Sequence, residues 1–276
     1  MSPASPLPDQ PAFDVAAARR RCLGYRRRIL DISQQVSALH AAAAFSATEM
    51  VDCVYAGLMS PGRDTFVMSK GHGAMIQYVI LEALGVLTPE DLRDYCTPAG
   101  RLGCHPDYGT PGIAASTGSL GHGMALVTGM AYADAAVLKT PRDYYVVLSD
   151  GELQEGSTWE AMMMTATLGL SNVVALLDHN GFQSFGRTSE THPAFYPIRE
   201  KVEAFGWETA EVNGHDAGAV HAAIRGRQGG RPFMLIGNTV KGRGVSFMEN
   251  QPIWHYRSPS PEEYRQAVDG LKEVAA

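Results

Sequence analysis

Asp150 and Asn180 are the residues around which chemistry can be built. Each closely follows an apolar, β-branched run, Tyr144–Leu148 and Val173–Leu177, and the segment between has helical length, with apolar side chains at Met162, Met163, Ala166 and Leu170. This spacing predicts a strand–helix–strand unit. A right-handed crossover between parallel strands brings Ser149-Asp150-Gly151 and Asp178-His179-Asn180-Gly181 out together at the carboxyl edge of one sheet, where ligands bind. The Asp150 carboxylate, the Asn180 amide oxygen and the main-chain carbonyl of Phe182 are then three hard oxygen donors, a set that suits Mg²⁺. Because Mg²⁺ takes six oxygens and usually keeps some positions for water and ligand phosphates, the expected ligand carries a diphosphate. Gly151 lets the backbone approach that diphosphate closely. Taken singly, Asp-Gly and Asn-Gly after a strand are also ordinary turn signals.

Five histidines, His40, His72, His105, His122 and His255, fall in loops at the ends of predicted elements. If they converge, they supply groups able to move a proton to and from a hydroxyl near neutral pH. A zinc site is the competing use, but no H-E-x-x-H and no paired Cys/His spacing occurs. Ser69-Lys70-Gly71-His72-Gly73 lacks the Gly-Lys-Ser/Thr of a Walker loop. Gly118, Gly121 and Gly123 precede a helix, but not in the G-x-G-x-x-G order of a dinucleotide loop.

The elements that must position these residues alternate along the chain. Helices are predicted at Phe13–Ala38, Thr48–Leu58, Ala74–Leu84, Met124–Leu138, Ile198–Phe205, Ala217–Arg225 and Pro261–Val274. Further strands are predicted at Thr65–Met68, Glu208–Val212 and Phe233–Gly237. Residues 97–123, rich in Gly, Pro, Ser and Thr, read as a long functional loop. Strand–helix alternation means an α/β fold with a mostly parallel sheet and helices on both faces. Residues 1–12, Pro- and Ser-rich, are expected to be a mobile N-terminal segment, and residues 13–276 one domain.

With 276 residues and 45% hydrophobic composition the chain can bury a full core. Its net charge of −6 argues against nucleic acid as a partner, and the arginines at Arg19–Arg21 and Arg26–Arg28 read as a solvated or subunit-facing helix surface. Cys22, Cys53, Cys96 and Cys104 form no C-x-x-C pair and no disulfide framework. There is neither a signal-peptide core nor a run of eighteen apolar residues, so a cytoplasmic protein without a membrane span is expected.

Asp150-Gly151, Glu155-Gly156, Trp159-Glu160-Ala161 and Asn180, thirty positions after Asp150, together resemble the thiamine diphosphate signature of the transketolase family, with Ser149 where the family has its first glycine. Ser-Lys-Gly-His (69–72), Gly-Cys-His-Pro (103–106), Ser-Thr-Gly-Ser-Leu-Gly-His-Gly (116–123), the run 239–250 and Trp254-His255 resemble family segments in family order. The resemblance implies the thiamine-diphosphate-binding fold. It also implies Mg²⁺ held by Asp150, Asn180 and the Phe182 carbonyl, and the cofactor diphosphate near His72, His255 and Gly151. Gly118 and Leu120 would support the cofactor rings, and His105 would contact donor hydroxyls. His40 matches the family's first histidine, although Leu39-His40-Ala41-Ala42 departs from the usual Gly-His-Pro-Gly. Glu155 resembles the glutamate that bonds to the partner across the dimer interface, and Tyr256-Arg257 stand where small residues are usual.

Nothing in the chain resembles the family's second, pyrimidine-binding domain. The resemblance therefore implies a diphosphate-binding subunit completed by a separate pyrimidine-binding subunit in a heterotetramer, moving a two-carbon ketol unit from a ketose or sugar phosphate donor to an aldehyde. Three alternatives stay open. One is the same half-enzyme serving a non-sugar acceptor such as a thiol on a carrier protein. Another is a related thiamine enzyme, and the third a non-catalytic binding or regulatory subunit.

Overall fold

The computed structural model describes residues 13–36, 39–140, 142–184 and 186–275. The predicted mobile segment 1–12 lies outside the described residues, as do Ser37 and Ala38 at the predicted end of the first helix. Helix α1 (Val15–Ser33) is capped by Asp14, whose Oδ1 accepts from the Ala17 N–H at 2.9 Å. It stops short of the predicted Ala38 because Ser33 Oγ bonds back to the Leu30 carbonyl at 2.6 Å and Gln34-Gln35 turn the chain. Helix α2 (Ala41–Cys53) begins seven residues before the predicted Thr48 and is buried along its whole length. The reason is Ala41–Ala44, which combine the best helix propensity with side chains small enough to lie flush on the sheet. A wider turn, Val54–Leu58, ends this segment.

Strand β1 (Thr65–Met68) and helix α3 (Ala74–Ala83) follow as predicted. A short α4 (Pro89–Arg93), closed by a Thr88/Asp91 capping box, is an addition to the predicted elements. An irregular stretch over 97–122 leads into α5 (Gly123–Tyr132), and then come β2 (Tyr144–Ser149), α6 (Gly156–Thr167) and β3 (Val173–His179). The chain closes through α7 (Thr188–Thr191), α8 (Ile198–Ala204), β4 (Glu208–Asn213), α9 (Ala217–Arg225), β5 (Phe233–Asn238) and α10 (Pro261–Ala275). No described helix is long and apolar enough to cross a membrane.

The five described strands form one parallel sheet in the order β1-β2-β3-β5-β4. Successive strand residues go to opposite faces. Tyr145, Val147, Val174, Leu176, Phe233 and Leu235 meet α1, α2, α3, α9 and α10, whereas Tyr144, Val146, Val173, Ala175 and Met234 meet α5, α6 and α8. Met162 is fully buried, but Met163 is 49% exposed, because the helix turns Ala161 and Thr165 inward with Met162.

The arginine-rich α1 also differs from its sequence reading. Arg21 holds Asp52, Arg26 holds Glu49 and Arg28 holds Glu82, each through two bonds. These pairs clamp α1 onto α2 and α3, so Arg21, Arg26 and Arg28 form an internal clamp, while Arg19, Arg20 and Arg27 stay exposed as a solvated surface. At the other end of the chain, Tyr264 of α10 donates to Asp31 of α1 at 2.7 Å.

Candidate active site

The register of the sheet sets the site. Ser149 of β2 pairs with Asp178 of β3, so Asp150 and Asn180 leave adjacent strands at the same carboxyl edge. Asp150 is fully buried, its Oδ2 accepts from the Gly181 N–H at 2.5 Å and lies 3.1 Å from His179 Nδ1, and its Oδ1 accepts from the Gly151 N–H at 3.0 Å. Burial raises this carboxyl above its ordinary value, against the pull of His179. Asn180 Oδ1 accepts from the Phe182 N–H at 3.0 Å, and the Phe182 carbonyl faces Gly151, where an added Cβ would sit 3.8 Å from it. Ser149, in place of a glycine, has its own use: Oγ accepts from the Glu152 N–H at 3.2 Å.

Ser149, Gly151, Asn180 and Phe182 line a cavity of 240 Å³ with His72, Leu120, Glu155, Gln183, Lys241 and His255, and Asp150 lies buried behind its wall. Four of the five predicted histidines gather there and at its mouth. The His72 and His255 rings lie 5.4 Å apart, and His40 stands 5.3 Å from His255, 5.8 Å from His72 and 6.0 Å from His105. His122 does not join them. It is exposed at the start of α5, with Nδ1 against the Leu120 carbonyl at 3.1 Å. Enclosure by protein and nearby positive charge keep His40, His72 and His255 neutral. Burial, then Lys70, holds His72 well below its ordinary value; burial and His105 bring His40 to about 4; burial and Lys241 bring His255 to about 3.

Gly118 has φ +144°, and a Cβ at Gly71 would come within 2.7 Å of the Gly118 backbone, so the 69–73 and 116–123 loops touch through bare main chain. Leu120 and Glu155 both line the cavity. Glu155 is exposed, and its carboxylate has no hydrogen-bond or ion-pair partner among the described residues.

Three groups that sequence reasoning passed over hold the site together. Lys70, fully buried, donates to Asp178 and to the Ala43 carbonyl at 2.9 Å, while Asp178 also accepts from Ser46, Thr239 and Asn180. Glu152, equally buried, accepts from Ser69 Oγ at 2.5 Å and from the Gly121 N–H at 3.0 Å, tying two loops to β2. Lys241 is 2% exposed, contacts His255 Nδ1 at 2.8 Å and has no carboxylate partner; burial, then Lys70, lowers it to about 8. The signal for Glu152 was its place beside Asp150-Gly151. The two lysines carried no local signal beyond lying within the 69–72 and 239–250 segments.

The segment bearing His255 is pinned from outside. Trp254 is buried, Arg257 lies 4.2 Å over its ring, and Arg257 also grips Glu263 of α10 through two contacts of 2.7 Å. Tyr256, 56% exposed, projects over His40 with ring centroids 4.5 Å apart.

The arrangement fits a metal-bound diphosphate. Three oxygen donors stand at one strand edge, a buried ammonium without a counter-charge faces the same cavity, and bare glycine backbone leaves room for close approach. Among the described residues no three His, Cys, Asp or Glu side chains are grouped to hold a metal by themselves.

The sequence matches the family described as the transketolase thiamine diphosphate binding domain over residues 20–266. It is 35% identical over 265 residues to one of the subunits of the apulose-4-phosphate transketolase of Actinobacillus succinogenes, covering 92% of this chain and 95% of that one. It is 34% identical to the 6-deoxy-6-sulfo-D-fructose transketolase subunit SqwG of a Clostridium species, covering 86% and 90%. Among solved structures, Leishmania mexicana transketolase superposes with a TM-score of 0.86 at 26% identity over 94% of this chain. Campylobacter jejuni transketolase does so with a TM-score of 0.87 at 24% identity, which bears on the fold alone. The chain spans 41% and 43% of those two solved chains.

Proposed function

The chain belongs to the transketolase family, as its thiamine diphosphate-binding domain, and from that premise we propose that it is the diphosphate-binding subunit of a two-component transketolase. Residues 13–276 act as one domain in this reading. Asp150, Asn180 and the Phe182 carbonyl would hold Mg²⁺, and Gly151, His72, His255 and Lys241 would surround the diphosphate. Gly118 and Leu120 would back the cofactor rings. The bound cofactor supplies the means of breaking the bond beside a ketose carbonyl. The protein's own part is to bind and orient it, exclude water, and hold the histidines His40, His72, His105 and His255 against the donor's hydroxyls. The observation that carries this reading is Lys241, a buried cation without a carboxylate partner among the described residues, lining the same cavity as Asn180 and Phe182, beside the buried Asp150.

The nearly end-to-end match to two proteins named as transketolase subunits supports a separate partner that completes the site. The unpartnered Glu155 and the exposed Leu126, Tyr132, Met163 and Met164 of α5 and α6 are a suitable surface for that partner, and two such pairs would make a heterotetramer. The sugar phosphate named for one relative makes a ketose or its phosphate the donor class to test first. The lack of a C-x-x-C pair supports a reducing, cytoplasmic setting.

The test uses the purified chain with and without the co-expressed partner. Mg²⁺ with thiamine diphosphate should raise the melting temperature by mass action, and Asp150→Ala should abolish that rise. Ketol transfer should require both subunits. A full cofactor response in Asp150→Ala would remove the metal assignment, and full turnover by the isolated chain would remove the two-component reading.

A further inference from the structure

His105 differs from the other clustered histidines in having a sulfur partner. Cys104 Sγ lies 3.1 Å from His105 Nδ1, and no other described group hydrogen-bonds this ring. The remaining restraints act on the backbone or on the ring face. Tyr78 OH donates to the carbonyls of His105 at 2.8 Å and Gly103 at 3.2 Å, and the Thr117 N–H donates to the Pro106 carbonyl at 3.1 Å. Gly118 lays its bare Cα against the ring, where a Cβ would come 2.9 Å from His105 Cγ. The ring can neither slide toward Gly118 nor leave with its backbone. What these contacts leave undetermined is which nitrogen carries the proton.

A neutral imidazole has one N–H, and a partner at one nitrogen decides where it sits. The thiol is a weak donor and a weaker acceptor, whereas an imidazole lone pair accepts well, so S–H to Nδ1 is favoured over N–H to sulfur. We propose that Cys104 is a positioning residue that fixes His105 as the Nε2–H tautomer. His105 then presents a hydrogen-bond donor, on the nitrogen away from the thiol, to an oxygen of the ketose donor. The substrate half of this inference rests on the transketolase reading; the tautomer half does not.

The tautomer is read directly by NMR of the folded chain labelled with 15N-histidine. Wild type and Cys104→Ser should show His105 with Nδ1 unprotonated, and Cys104→Ala should shift it toward a mixture. In the complex with the partner subunit, Cys104→Ala should raise KM for the ketose donor by the reciprocal of the Nε2–H fraction that NMR reads, about twofold for an equal mixture, with kcat little changed. Cys104→Ser should restore the wild-type KM. The melting temperature and its rise with Mg²⁺ and thiamine diphosphate should stay as in wild type for both variants. In a His105→Ala background, Cys104→Ala should cost nothing more. An unchanged tautomer in Cys104→Ala, an equal loss in the serine and alanine variants, or a further loss without His105 would each overturn the proposal. Absence of ketol transfer in the wild-type complex would instead overturn the functional reading, and the NMR result would still decide the tautomer.

Discussion

Buried cations occur in two settings in this molecule. On α1, Arg26 is 4% exposed and meets Glu49 at 2.5 Å, in a row with Arg21–Asp52 and Arg28–Glu82. At the carboxyl edge of the sheet, Lys241 is 2% exposed, contacts His255 at 2.8 Å and the Phe182 ring at 5.7 Å, and has no carboxylate partner among the described residues. Both cations have given up water, but only one has been given an anion. A charge that folding buries and matches belongs to the scaffold; one that folding buries and leaves unmatched is stabilised only when something else arrives. The first kind should govern stability, and the second should trade stability for binding.

The largest effect should come at the unmatched edge. His72→Ala should cut turnover of the assembled enzyme by roughly 10²–10⁴-fold if the ring does proton-transfer or charge-stabilising work. His221→Ala, which removes a ring stacked on Phe13 at 4.7 Å, should leave turnover alone and change only the melting temperature. Equal losses in both would erase the distinction. Next comes the matched side, where Arg26→Met should cost about 3–5 kcal/mol by stranding Glu49, with the cofactor-induced rise in melting temperature intact. Arg26 and His215, outweighing burial, hold Glu49 at about 2 against an ordinary value of 4.5. Its contribution to stability is therefore full above pH 4.5 and is lost as the pH falls through about 2. Acid titration of the variant should lack that limb.

A smaller change of opposite sign is expected for Lys241→Met. Burial lowers this lysine from 10.5 to about 8, so the cofactor-free protein carries a penalty below pH 8 that is relieved between pH 8 and 10.5. Removing the ammonium should stabilise the cofactor-free chain at neutral pH by on the order of 3 kcal/mol, abolish the rise of stability across that window, and weaken thiamine diphosphate binding by about 10–100-fold. Denaturant titration and calorimetry read both quantities. If Lys241→Met and Arg26→Met shifted stability in the same direction, the comparison would fail.

How much of this was legible in the sequence follows the range of the interactions. The β2–α6–β3 unit was legible because period-two and period-3.6 patterns are local, and with it came the placement of Asp150 and Asn180. The start of α2 was missed because Ala41–Ala44 carry no amphipathic pattern; the helix is buried all round and shows none. The pairs Lys70–Asp178 and Arg26–Glu49 join residues 108 and 23 positions apart, and no local spacing announces them. His122 was grouped with the site because it falls in a loop at the end of a predicted element, but it sits exposed at the start of α5.

The clasp between Arg257 and Glu263, and the bond from Tyr264 to Asp31, also bear on how the protein is made. Tyr264 and Asp31 are 233 positions apart, so at ordinary translation rates on the order of 10–50 s separates their synthesis. During that interval a nascent chain can already seat α1 against α2 and α3 and close the Asp150–Asn180 edge. It still lacks His255, and the helix that steadies His255 has not left the ribosome. With the proposed role of His255, cofactor capture becomes a late event in the life of each chain, timed by the helix that emerges after α9 and β5 are complete.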